Sequence, residues 1–298
     1  MNFIGELAAL ATSFFFAMTA LIFTSTGRMV GSQVTNRMRL TFALIYLFVL
    51  NIILFREPLP FSAGSSRWIW LSLSGIIGLS LGDAFLFQSF LWVGPRLGTL
   101  LLSLAPIFGS ILAWIFFGEI LTALQITGIV LALAGIAWGV TSHQEPPNTP
   151  HGHTRRGVIF GVLAGLGQAV GLVLSKQGML GDFSVFQANA IRMLAAVIFT
   201  WVLTTFEGKV PATFTALREK PQVLGLLALG ALLGPVLGVL SSLFAVQHAE
   251  IGVASTLMAL PPVIILPISY FVFKEKIGWQ AVLGTVLAIA GVAILFLV

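Results

Sequence analysis

Cysteine is absent from the 298 residues, which excludes disulfides and all thiol chemistry. Charge is scarce as well: Asp, Glu, Lys and Arg together make up 8% of the chain. A water-soluble domain carries about 25% charged residues, so a soluble fold is excluded. The 15 basic residues exceed the 10 acidic ones for a formal net charge of +5. They are scattered rather than gathered into one face, so no nucleic-acid partner is expected. No spans gather the acids, histidines or activated nucleophile that hydrolytic or metal chemistry requires. Asp83 in particular has no evident His, Lys or second carboxylate in a neighbouring span. The expectation is a protein that is not an enzyme and carries neither cofactor nor metal. A basic n-region is missing from the N-terminus, MNFIGELAAL, and the apolar stretch behind it runs to about Phe23 without a cleavage site. The first helix is expected to be retained rather than removed as a signal peptide.

What fills the chain instead is apolar. Hydrophobic residues make up 58% and mean hydropathy is +1.04, so the partner of the surface is the lipid bilayer. Runs long enough to span it fall at 3–23, 35–55, 68–93, 97–117 and 122–141, and again at 157–175, 185–206, 222–246, 251–273 and 277–298. Trp68, Trp70, Trp92, Trp138, Trp201 and Trp279 stand near proposed span ends, as an interfacial aromatic belt requires. Between the two sets lies SHQEPPNTPHGHTRR, polar, Pro-rich and His-rich, which cannot span. Its histidines His143, His151 and His153 read as a solvated linker rather than a metal grip. The domain assignment is 1–142, a linker 143–156, and 157–298.

The second set repeats the first. A shift of 156 aligns Gly78 with Gly234, Gly82 with Gly238, Pro106 with Pro262, Glu119 with Glu275, Gly128 with Gly284 and Gly135 with Gly291. Near the start of each half a slightly smaller shift pairs Asn36 with Asn189 and Arg39 with Arg192. Five spans per half is an odd number, so the halves must have inverted topology. The fold expected is an all-α integral membrane protein with ten transmembrane helices in two inverted five-helix repeats. Basic residues agree: Arg28, Arg37, Arg39 and Arg96 in the first half, and Lys209, Arg218, Lys220, Lys274 and Lys276 in the second, fall on one side with Arg155 and Arg156. The positive-inside rule makes that side, with linker 142–156, cytoplasmic, and puts both termini outside.

Several polar residues stand inside apolar runs. Asp83, in GLSLGDAFLF of the third span, is the sharpest, because an intramembrane carboxylate is costly unless it faces protein or water. Ser72, Ser80, Asp83, Phe87 and Phe90 share one helical arc, a polar and aromatic wall for a cavity; the alternative is a carboxylate paired with an Arg only to fix packing. Asn36 with Arg39, and Asn189 with Arg192, form a mirrored pair that reads as cations at the two mouths of a pathway, or as plain helix-end anchors. Thr99, Ser103, Pro106 and Ser110 make a stripe along the fourth span, mirrored by Ser255 and Pro262 in the ninth. Pro106 and Pro262 would bend their helices and free a backbone carbonyl. Gln168 and Ser175 share a face of the sixth span and add polar contacts from the other half. Gly78-x-x-x-Gly82 and its relatives read as close helix packing. Glu119 and Glu275, before spans five and ten, read as helix-start anions, and His248 and Glu250 as surface residues.

The stretches GPRLGTLLLSLAPIFGSILAWIFFGEILTALQITGIVLALAGIAW and EIGVASTLMALPPVIILPISYFVFKEKIGWQAVLGTVLAIAGVAIL resemble the ends of EamA domains, of the drug/metabolite transporter superfamily. The resemblance is carried by Pro106 and Pro262, by Glu119 and Glu275 after a Phe-rich end, by Gly128, Gly135, Gly284 and Gly291, and by Arg39 and Arg192. It covers nearly the whole chain as two tandem domains. It departs in the first span, where such domains often carry a Trp-Gly pair and this chain reads TSFFFAMTA. The resemblance implies ten helices around a central cavity, with the fifth and tenth peripheral, and export of amino acids or related metabolites by alternating access in the inner membrane.

The reading drawn from all of this is a secondary transporter of small organic solutes, an exporter rather than an importer. Substrate, or a proton if transport is proton-coupled, would meet Asp83, Phe87, Thr99, Ser103, Gln168 and Ser175, and a monomer would suffice. The rival readings are an uncoupled facilitator or channel-like pore, and a structural or sensory membrane protein that moves nothing.

Overall fold

A computed structural model describes residues 3–141, 154–261, 263–264 and 279–295. Among them there is no strand. The order is α1 (Ile4–Val30), α2 (Ser32–Phe55), α3 (Ser65–Ser74), a π-helical segment Gly75–Gly82, α4 (Asp83–Leu102), α5 (Ala105–Phe117) and α6 (Ala123–Thr141). The second half follows as α7 (Thr154–Gly178), α8 (Val185–Phe206), a short α9 (Val210–Glu219), α10 (Gln222–Ala231), a second π-helical segment Leu232–Gly238, α11 (Val239–His248), α12 (Ile251–Met258) and α13 (Trp279–Leu295).

Among the described residues seven helical stretches are long and apolar enough to cross a bilayer: Ile4–Val30, Ser32–Phe55, Ser65–Val93, Gly98–Phe117, Arg155–Gly178, Val185–Phe206 and Gln222–His248. Two shorter apolar helices, Ala123–Trp138 and Val282–Leu295, fall on the fifth and tenth expected spans. The ninth expected span, 251–273, is described only in its first part. The surface is what a lipid solvent demands: Ile53, Ile120 and Phe206 lie 70%, 76% and 86% exposed. Linker residues His143, His151 and His153, together with Pro262, Lys274, Glu275 and Lys276, lie outside the described residues.

Helix boundaries differ from the hydropathy reading where polar residues are buried. The first helix does not stop near Phe23 but runs to Val30, and α2 starts at Ser32 after the single residue Gly31, whose φ is +88°. Only glycine enters that conformation without strain. The added turns hold Thr24, Thr26 and Arg28, which lower hydropathy without breaking the helix. Thr24 and Thr26 return their hydroxyls to the carbonyls of Ala20 and Phe23. The loop expected between spans seven and eight contains α9. It is fastened to α2 by Arg37, which donates to Thr213 Oγ1 at 2.8 Å, and to the end of α1 by Lys220, which donates to the Met29 carbonyl.

Glycines set the close crossings, and they repeat. Gly78 and Gly82 of the third span meet Gly171 and Gly167 of α7, backbone on backbone; a methyl at Gly171 would stand 3.0 Å from the Gly78 Cα. The mirrored Gly234 and Gly238, with Gly230 a turn before them, instead meet side chains on α1: Thr19, Phe16 and Phe23 respectively. At the edge, α6 and α13 lie against each other. A methyl on Gly135 would strike Gly284 and Ala288, and one on Gly291 would strike Gly128 and Ala132. As the number rises along one helix it falls along the other, so α6 and α13 run antiparallel.

Candidate functional site

The third and eighth spans each loosen from α to π geometry near their middle, and both π segments end on a glycine, Gly82 and Gly238. A π turn widens the hydrogen-bond ladder and is common at functional sites. In the second segment Pro235 also removes a donor from the ladder. Side chains from the neighbouring helices address both. The amide of Asn36 donates to the Ser80 carbonyl at 3.2 Å, and that of Asn189 to the Pro235 carbonyl at 3.0 Å. The Asn-x-x-Arg motif thus docks α2 on one π segment and α8 on the other.

Between the segments lies a cavity of about 1110 Å³, its open mouth included. It draws walls from both halves. Phe16, Thr19 and Phe23 come from α1, Asp83, Phe87 and Phe90 from the third span, Thr99 and Ser103 from the end of α4, Gln168 from α7, and Ser242 and Ser255 from α11 and α12. Arg39 and Arg192 complete it.

Arg39 is saturated. Its Nη2 pairs with Asp83 Oδ2 and also donates to the Leu79 carbonyl at 3.1 Å, while Nε donates to Asn36 Oδ1 at 2.9 Å. The guanidinium stacks 5.0 Å from the Phe87 ring and 5.7 Å from that of Phe23, a cation–π arrangement strengthened by burial. Arg192 is placed differently. It is 3% exposed, and its Nε and Nη1 are buried with no hydrogen-bond partner among the described residues. Its Nη2 lies beside the open face of Gly78. Asp83 is within electrostatic reach of Arg192 as well as bonded to Arg39. Across from Asp83 in the repeat stands Val239, so the position that gives Arg39 its carboxylate gives Arg192 none.

The expected residues sort as follows. Asp83, Phe87, Thr99, Ser103 and Gln168 line the cavity. Ser175 does not; it is wholly buried and donates to the Leu172 carbonyl. Pro106 sits in the first turn of α5, just after the break at Ser103–Leu104, and is buried outside the cavity lining. Pro262 lies outside the described residues. Asn36 and Asn189 stand behind the lining as props. Arg39 and Arg192 are cavity residues rather than guards at its two mouths: each lies seven residues inside its helix, counted from Ser32 and Val185, roughly 10 Å deep at 1.5 Å per residue.

Glu119 also differs from expectation. Instead of serving its own helix, it accepts the backbone N–H of Ile251 at 3.0 Å, at the start of α12, and pairs with Lys176 at 2.6 Å. An anion at a helix N-terminus is favourable, and here it ties the first half to the second. Glu250, in the turn before α12, accepts from Gln125 Nε2 at 2.6 Å. Residues missed from sequence include Phe16, Phe23 and Ser242. The repeat pairs Ser242 with Leu86, which also lines the cavity.

A model of the EamA-like transporter family matches residues 3–141 and again 155–297. The chain belongs to that family. It carries two tandem EamA domains, one on either side of the polar linker, and it is a multi-pass membrane protein of a transporter family. No curated protein matches it. A solved crystal structure, described only as that of a protein, shares the EamA chain's fold at a TM-score of 0.73 and 16% identity, covering 100% of this chain and 98% of the other.

Proposed function

We propose that this EamA protein is a secondary transporter that exports small organic solutes, amino acids or related metabolites, by alternating access. Residues 1–142 and 157–298 act as two inverted five-helix repeats, and both termini lie outside the inner membrane. One observation carries the reading: a single cavity takes walls from both halves and is bounded by two π segments at matching positions of the repeat. Inverted repeats place a substrate site at their interface near the midplane, on interrupted helices. The antiparallel contact of α6 with α13, which occupy the same place in each half, supports inversion. An open cavity walled by both halves disfavours a purely structural role, for which a bundle packed solid would be the better design.

The test is transport in proteoliposomes. Vesicles are preloaded with a panel of labelled amino acids and small organic acids, and efflux is followed with and without an imposed pH gradient. Saturable efflux of a panel member supports the reading, and acceleration by the gradient that disappears in Asp83→Asn assigns the coupling proton to that carboxylate. Flux that never saturates points to the pore reading. A C-terminal alkaline phosphatase fusion reports sidedness, since it is active only if the C-terminus faces outward.

A further inference from the structure

The two halves hold the same Asn-x-x-Arg motif in different states of completion. In the first, Asn36 Oδ1 accepts from Arg39 Nε, and Asp83 neutralises the guanidinium. In the second, Asn189 Oδ1 and the Nε and Nη1 of Arg192 are all buried without a partner. A buried cation left without hydrogen bonds or a counterion is costly, and its presence calls for a missing partner. Asp83 acts on Arg192 only from a distance, being bonded to Arg39. Among the described residues the charged side chains around the cavity are Arg39, Asp83 and Arg192, two cations against one carboxylate. The described lining therefore carries an excess of one positive charge among aromatic, aliphatic and uncharged polar side chains.

We propose that Arg192 is the binding site for the anionic group of the transported solute, a carboxylate on a small organic molecule whose apolar body lies against Phe16, Phe23, Phe87 and Met258. The guanidinium fork matches a carboxylate in shape and charge. Gln168 stands ready as a second donor: it lines the cavity, its side chain makes no hydrogen bond among the described residues, and its backbone N lies 3.7 Å from the point where a methyl on Gly82 would sit. Arg192 Nη2 lies by Gly78 one turn away on the same glycine face, so the two groups front one stretch of the third span. This deepens the transporter reading and rests on it, but the binding step can be tested alone.

The measurement is thermal stabilisation of the purified protein in detergent, with equilibrium dialysis for affinity. The probes are matched sets of acetate, benzoate and phenylacetate, their amine counterparts, and the corresponding alcohols. At least one carboxylate should stabilise the wild type and bind about tenfold or more tighter than its amine or alcohol mate, as a charge-assisted hydrogen bond implies. Arg192→Gln should erase that preference. Val239→Asp, which gives Arg192 an internal acid at the position mirroring Asp83, should erase it too while keeping the arginine. Val239→Asp decides the matter if Arg192→Gln does not fold. Equal binding of the three chemistries, binding of none of the carboxylates, or a carboxylate preference that survives both substitutions overturns the assignment. Carboxylate binding at Arg192 without movement across a proteoliposome membrane would sink the transporter reading and leave the site standing. Efflux of amines or neutral solutes without carboxylate binding would do the reverse.

Discussion

Arg39 and Arg192 are the same residue of the same motif, at the same depth in equivalent helices, and they live in opposite electrostatic circumstances. Arg39 has a carboxylate, an amide oxygen, a backbone carbonyl and two aromatic rings around it. Arg192 has a glycine face beside Nη2 and two nitrogens with no partner. A duplicated fold needs its scaffold twice but its chemistry once. In this chain the amide props and π segments are kept in both halves, while the acid survives in one.

The contrast can be broken most severely at Asp83. Asp83→Asn strands a buried guanidinium, and losing one partner of such a pair costs about 3–5 kcal/mol. Denaturant-induced unfolding in mixed micelles should show that loss, and a change within 1 kcal/mol or so would mean the pair is solvated rather than structural. Gly75→Ala probes what holds Arg192 in place. A methyl there collides with the Arg192 carbonyl itself, so α8 must move away, at about 1–3 kcal/mol for overpacking. The same unfolding assay checks it, and a neutral result means the two helices are not in fixed contact. The amide props should differ by less. Asn36→Ala removes a donor to Ser80 and an acceptor for Arg39, whereas Asn189→Ala removes only the bond to Pro235. The first should therefore cost more than the second by about 1 kcal/mol, the worth of one net hydrogen bond. Equal losses in thermal denaturation would show that Arg192 finds Asn189 in solution. The smallest change is expected at Arg192→Met. Taking away a cation that lacks a partner leaves nothing stranded, so the apo protein should be unchanged or gain up to about 1 kcal/mol. A loss as large as that of Asp83→Asn would contradict an unpartnered Arg192.

Much of the architecture was legible because lipid demands long apolar runs. The Asn, Pro, Glu and Gly positions repeat in order, and composition bias cannot reproduce that order. Asp83, Phe87, Thr99, Ser103 and Gln168 stood out because polar or aromatic residues inside such runs have few other reasons to be there. Arg39 and Arg192 were harder to place. Hydropathy ended the first span at Phe23 and began the second at residue 35, because Thr24, Thr26 and Arg28 read as loop. The threonine hydroxyls bond back to the helix, the helices run on, and Arg39 sinks with them. Ser175 misled in another way. It shares a face with Gln168, but Gly171 draws that stretch of α7 against Ser74 and Gly78, which closes it to the cavity. The role of Glu119 was beyond sequence altogether, since its partner Ile251 is 132 residues away.

The glycine contact between α6 and α13 has a mechanical consequence. Where backbone lies on backbone with no side chain between, two helices can neither slide past nor separate without leaving a void, but they can pivot. Gly128, Gly135, Gly284 and Gly291 therefore form a tight seam at the rim of the molecule. Any opening of the cavity would have to keep that seam closed or leave a void along it.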